Sequence, residues 1–210
     1  MMPEGVEMVA VSKFHPASAI MEAYDAGQKI FGESRVQEFL DKESLLPKDI
    51  RWHFIGHLQT NKVRQIIGKT AMIESVDSVK LIELIDRESL NCGVVTNVLL
   101  QLHVAAEETK FGFDLGEAKA FLDSGAPRLK ATKICGIMGM ATNTDDLERV
   151  RKDFATLSWF YNQVKQDYHL NYLTDFKYLS MGMSGDWQLA VAEGSNIVRI
   201  GSAIFGPRIY

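Results

Sequence analysis

The feature that most constrains this chain is a strict alternation. Short apolar runs rich in β-branched residues take turns with helical patterns along its whole length. Such alternation signals a parallel sheet whose strands are joined by crossover helices. Eight runs can be counted, at 6–11, 29–31, 52–55, 72–75, 97–102, 134–138, 178–181 and 197–200. The second is short and weak.

Helical patterns fill the gaps. One follows Pro16 over 17–26, as suits a proline at a helix start. Ser34-Arg35-Val36-Gln37 has the spacing of a capping box opening a second helix. Over 79–90, Leu81, Leu84, Ile85 and Leu90 fall on or near one stripe. The longest helix is expected over 145–165, and a short one over 186–193 is closed by Gly194. An open doubly wound sheet would carry an early glycine-rich phosphate loop, but the first strand-to-helix turn, Ser12-Lys13-Phe14-His15-Pro16, has no glycine. The expected fold is therefore α/β, one (β/α)₈ TIM barrel over residues 1–210, close to the lower size limit of its class.

Composition excludes several function classes. Net charge is −4 with no basic face, against a dedicated nucleic-acid or anionic-membrane binder. No apolar run approaches the ~20 residues a membrane span needs. The first residues show no secretory pattern. Cys92 and Cys135 have no spacing motif and read as buried thiols of a reducing compartment. A cytoplasmic monomer is expected.

Barrels of this kind place their chemistry at the C-terminal ends of the strands. There the sequence sets Ser12-Lys13, Gly32-Glu33-Ser34-Arg35, residues 56–62, Gly139-Met140-Ala141-Thr142, residues 182–186, and Arg199 with Gly201-Ser202. Lys13 shares the parity of Val9 and Val11, so it points inward if they do. Desolvation there lowers its pKa and frees an amine that attacks aldehydes. A rim lysine snorkelling to water is the ordinary alternative. Loops after strands seven and eight commonly bind phosphate, and Ser184 and Ser202 are the hydroxyl candidates. Glycines packing a tight barrel and serines capping it would look the same.

Arg199 interrupts an apolar strand and needs a partner, because it cannot shed its charge. A cofactor ring nitrogen or an ion pair with Glu33 or Asp186 serves equally. His53, His57 and His103 form no ligand motif, and a metal centre is not expected. Met138, Met140, Met181 and Met183 read as lining the core or a cofactor pocket. Lys110, in the loop Thr109-Lys110-Phe111-Gly112, reads as a solvated charge.

Five stretches resemble the pyridoxal phosphate homeostasis proteins, the single-domain, alanine racemase-like barrel family. They are residues 9–13, 31–38, 52–62, 179–184 and 194–206. The resemblance implies a fold like the alanine racemase N-terminal domain, with pyridoxal 5′-phosphate held as a Schiff base on Lys13. It implies Arg199 facing the pyridine nitrogen, phosphate near Ser184, Gly201 and Ser202, Glu33-Ser34 beside the ring, and Met181 among the cofactor-binding residues. Many members carry asparagine at the position of Ser34 and threonine at that of Ser202. Members usually begin with a helix, whereas here the first strand starts almost at once, so one barrel end is expected to be less covered.

Racemases of this fold add a second domain bearing an opposing tyrosine base. Here the eighth strand ends close to Tyr210, and no such domain is expected. Racemisation needs proton transfer on both faces of a carbanion, and an arginine at the ring nitrogen weakens the cofactor as an electron sink. The reading is a non-catalytic carrier of pyridoxal phosphate in vitamin B6 homeostasis, with apo-enzymes that use the cofactor as recipients. A weak amino-acid racemase and a cofactor-free Schiff-base aldolase are the alternatives.

Overall fold

The computed structural model describes residues 2–107, 111–168 and 173–206. Eight parallel strands close into a barrel in chain order. They are β1 (Glu7–Val11), β2 (Ile30–Glu33), β3 (Arg51–Phe54), β4 (Met72–Val76), β5 (Thr96–Leu102), β6 (Thr132–Gly139), β7 (Tyr178–Ser180) and β8 (Ile197–Ile200). β8 returns to pair with β1, with Val9 opposite Arg199 and Ala10 opposite Ile200. The ring therefore joins the two ends of the sequence.

The helices alternate with the strands: α1 (Ala17–Asp25), α2 (Val36–Leu45), α3 (Val63–Ile66), α4 (Val79–Cys92), α5 (Leu115–Ser124), α6 (Leu147–Tyr168), α7 (Trp187–Ala192) and α8 (Ser202–Phe205). Ser78 caps α4 by accepting from the Leu81 N–H, and Gly93 ends it in a left-handed conformation (φ 67°). α5, not anticipated from periodicity, opens with a reciprocal capping box between Asp114 and Glu117. The capping box expected at Ser34 is absent. α2 starts at Val36 with Arg35 at the cap position and no side-chain cap bond, so Ser34 lies one residue too early. On α4, Leu81, Ile82, Ile85 and Ser89 lie on the buried face while Leu90 is exposed, because the stripe continues through Ser89 and Leu90 is turned about 100° away from it. Ahead of β1 the chain makes a turn, with the Val6 N–H on the Pro3 carbonyl (3.2 Å). Tyr210, Thr109 and Lys110 lie outside the described residues.

The main core lies between barrel and helices. Ala10, Phe31, Trp52, Phe54, Ile73, Val98 and Ile137 face outward onto Ile20, Phe39, Ile85, Phe121 and Phe154. Each large apolar side chain buried this way contributes roughly 1.5–3 kcal/mol. The interior of the barrel is smaller and mixed. Val9, Ile30 and Ile197 form one apolar group, and Met72, Leu99, Cys135 and Met138 another. Between them lie polar side chains that build the site.

β6 carries an irregularity. Its register with β5 shifts after Val98, which pairs with Ile134, to Leu99, which pairs with Gly136. The extra residue lets Cys135 and Met138 both face inward. A Cβ at Gly136 would overlap the backbone carbonyl of Tyr178, so only glycine fits.

Candidate functional site

A cavity of about 290 Å³ opens at the C-terminal ends of the strands. Val11, Lys13 and His15 line it from β1, and Ser34 and Ile55 from the turns after β2 and β3. Met140 comes from β6, Met183, Ser184 and Gly185 follow β7, and Arg199, Gly201, Ser202 and Gly206 belong to β8 and its turn. A second space, about 460 Å³, abuts it through Lys13, Ser34, Ile55 and Met140 and is walled by Arg35, His57 and Phe111.

Lys13 is half-buried at the inner rim. Val9 and Val11 are buried inside the barrel, and the alternation carries Lys13 onto the same side. Ser34 reaches the cavity because the turn after β3 comes close: a Cβ at Gly56 would overlap the Ser34 backbone. Ser184 accepts from the Gly201 N–H at 3.3 Å, joining the loops after β7 and β8. Gly201 packs on Val11, where an added Cβ would meet the Val11 carbonyl at 3.3 Å. These residues form one end of the cavity, rich in hydroxyl and backbone donors.

Arg199 is 5 % exposed. Its guanidinium donates to Ser180 Oγ (2.6 Å) and to the Gly139 carbonyl (2.9 Å), and stands 3.8 Å from Glu74 Oε2. Burial pulls its pKa below the ordinary arginine value, while the charges of Glu74 and Asp186 oppose this. Glu74 is fully buried. It accepts from Ser180 Oγ at 2.5 Å and lies 2.6 Å from His53 Nδ1. Burial alone would raise its pKa, but the bond to His53, the charges of His53 and Arg199, and the Ser180 hydroxyl together hold it below the ordinary carboxylate value. Arg199 is thus paired through Ser180 with Glu74, not with Glu33. Glu33 sits on the outer side of β2, bound to Lys42 at 2.7 Å. Glu74 was missed, although a carboxylate inside the apolar run of β4 is itself a signal.

The cavity brings together Lys13, Ser34, Ser184, Arg199, Gly201 and Ser202. Met181 is not among its lining residues. It is fully buried in the core between barrel and helices, because Tyr178 and Ser180 take the inward positions of β7. Met183, two residues on, lines the cavity instead. The three histidines stay apart: His53 on Glu74, His57 on Asp77 at the rim (2.7 Å), and His103 on the Glu107 carbonyl (2.9 Å).

The arrangement suits a small anionic aldehyde. An amine stands at one wall, a buried cation lies at the floor, and hydroxyl and amide donors line the end between β7 and β8. The volume is at the small end of the range for small-molecule sites.

The sequence matches the family described as alanine racemase, N-terminal domain, over residues 1–208. It is 38 % identical over 205 residues to the pyridoxal phosphate homeostasis protein of Aquifex aeolicus, covering 97 % of this chain and 88 % of that one. The structure superposes on that of PipY from Synechococcus elongatus with pyridoxal phosphate bound. There the TM-score is 0.87 with 38 % identity, over 98 % of this chain and 95 % of that one. An alanine racemase from Clostridium difficile shares the fold at TM-score 0.72 and 13 % identity, over 95 % of this chain and 51 % of that one. Among the described residues no helix is long and apolar enough to cross a membrane.

Proposed function

This chain belongs to the family of the alanine racemase N-terminal domain, and from that premise we propose that it binds pyridoxal 5′-phosphate and serves in pyridoxal phosphate homeostasis. The observation that carries the reading is the shared cavity of Lys13 and Arg199, closed at one end by Ser184, Gly201 and Ser202. Its relatives at 38 % identity are named for that role, and PipY holds the cofactor.

The bound group supplies a reactive aldehyde and an electron-withdrawing ring. In this reading Lys13 would hold it as a Schiff base. Arg199 would face the pyridine nitrogen as a fixed cation whose orientation Ser180 and Gly139 set. Ser184, Gly201 and Ser202 would lie near the phosphate, and Ser34 beside the ring. Residues 1–210 act as one barrel unit and a monomer, in a reducing cytoplasm suited to the free thiols of Cys92 and Cys135. Apo-enzymes that use the cofactor are the proposed recipients, and the protein itself is a carrier.

The test is the visible absorption of the protein with pyridoxal phosphate, wild type against Lys13→Ala. A yellow band in wild type that is absent from the variant supports the reading. No band in wild type overturns it.

One observation favours a second reading, a weak amino-acid racemase. His15 lines the same cavity, stacked on Phe205 at 5.0 Å, and supplies another group able to exchange a proton. Conversion of L-alanine to D-alanine, lost in both Lys13→Ala and His15→Ala, would establish it.

A further inference from the structure

Behind the turn that carries Lys13, on the far side of the barrel wall from the cavity, lies a buried ionic cluster. Lys42 of α2 is 6 % exposed. Its ammonium donates to Glu33 Oε1 (2.7 Å), to Glu38 Oε1 (2.7 Å) and to the backbone carbonyl of Ser12 (2.8 Å). Those three bonds use all the donors a lysine has. Ser12 is fully buried and also donates its hydroxyl to Glu33 Oε1 at 2.6 Å. Glu38 Oε1 in turn accepts the Phe14 N–H at 2.6 Å. The residues on either side of Lys13 are therefore both fastened to one ammonium, Ser12 directly and Phe14 through Glu38.

The backbone shows why fastening matters. Phe14 has φ +70°, and among the described residues no other non-glycine has a positive φ. Such a conformation persists only where the surroundings over-determine it. The Glu38 bond supplies one such constraint, and the Arg35 guanidinium over the Phe14 ring at 4.8 Å supplies another. Stability alone does not account for a buried lysine between two carboxylates, because apolar residues of the same volume commonly do as well. What apolar residues cannot do is hold the Ser12 carbonyl and aim Glu38 at the Phe14 N–H.

We propose that Lys42 is a positioning residue: through Ser12 and Glu38 it sets the turn that aims the Lys13 amine into the cavity. The inference rests on Lys13 being the anchoring amine of the proposed function.

The test uses cofactor-free protein, so that the two readings fail separately. Reductive methylation of Lys13 by formaldehyde and cyanoborohydride is followed by peptide mass spectrometry as a function of pH. The variants are Lys42→Met, Lys42→Arg and Glu38→Gln. Lys48→Met, which removes an exposed lysine paired with Glu43, is the control. His15 and Arg199, the other charged or titratable groups lining the cavity, and Arg35 over Phe14 stay unchanged throughout.

Lys42→Met is expected to change the rate of Lys13 methylation severalfold, because a re-aimed amine meets a different exposure and surroundings, and to shift its pH midpoint. Lys42→Arg restores most of the rate, and Lys48→Met matches wild type. A folded Lys42→Met protein whose Lys13 profile superimposes on wild type overturns the proposal. If Lys42→Met does not fold, Glu38→Gln must move the Lys13 profile in the same direction, and an unchanged profile there overturns it equally. Altered Lys13 reactivity in a protein that gives no yellow band with pyridoxal phosphate would uphold the positioning role and sink the cofactor reading.

Discussion

Arg199 and Glu74 face each other inside the barrel with Nη1 and Oε2 3.8 Å apart, and the Ser180 hydroxyl bridges them, donating at 2.5 Å and accepting at 2.6 Å. Three strands, β4, β7 and β8, thereby meet in one buried polar contact beneath the cavity. It holds a cation in place at the floor of the cavity, and it couples the integrity of the site to that of the fold.

Removing the arginine leaves its acceptors without a donor. Arg199→Met is expected to destabilise the protein by about 1–3 kcal/mol, the cost of a buried group left unsatisfied, because the Gly139 carbonyl and Ser180 lose their bonds to it while Glu74 keeps His53 and Ser180. A second change, Glu74→Gln, tests how far the two residues are coupled. Urea unfolding of the two single variants and the double variant measures the coupling, and strict additivity would show that Ser180 insulates the pair.

The phosphate end can be probed apart from the aldehyde end. Ser184→Ala is expected to weaken pyridoxal phosphate binding by about 1.5–3 kcal/mol, the worth of a hydrogen bond to a charged group. Binding of pyridoxal, which lacks the phosphate, should hardly change. Titrations followed by absorbance give both affinities.

The bulge in β6 depends on Gly136. Gly136→Ala forces a methyl into the Tyr178 carbonyl, and overpacking of this kind costs about 1–3 kcal/mol where relaxation is possible. Here the obstacle is backbone, so thermal unfolding should show a loss at or beyond the upper figure.

Glu33 gives a pH signature. Burial raises its carboxyl above the ordinary value of 4.5, with Lys42 and Ser12 opposing. The folded chain then holds this proton more tightly than the unfolded one, so Glu33 favours folding most below the unfolded value. That contribution is lost as pH rises through the folded value. Relative to wild type, Glu33→Gln should gain stability progressively across that window, as measured by urea unfolding at a series of pH values.

The cysteines should differ in reactivity. Burial pushes the Cys135 thiol up to about 11, whereas Cys92, expected from the sequence to be buried, is exposed because it ends α4 away from the helix's buried face. A disulfide reagent at mild alkaline pH is expected to titrate one thiol in the native protein and two in denaturant.

Much of this architecture is legible in the sequence because barrel strands are buried on both faces and read as continuous apolar runs. β2 reads weakly because Gly32 and Glu33, which belong to it, resemble the start of a loop. α3 spans only Val63–Ile66 and offers too few residues for a period to show. The site reads less evenly. Lys13 and Arg199 follow from strand parity, and the same parity, applied to Ser180, turns Met181 away. The Glu74 partnership was not legible, since contacts across a closed ring join residues that no local pattern relates. Nor was the Lys42 cluster, because a lysine on an amphipathic helix looks solvated until the loop folded over it is seen.

The pairing of β1 with β8 brings Lys13, early in the chain, to the same cavity as Arg199 and Gly201, near the last of the described residues. A growing polypeptide therefore displays its amine long before it can recognise anything with it. Ligand capture must await closure of the ring. By mass action a ligand that binds only the closed form draws the final strand into place. Cofactor supply during synthesis would thus favour completion of the barrel, and its scarcity would leave β8 less firmly seated between β7 and β1.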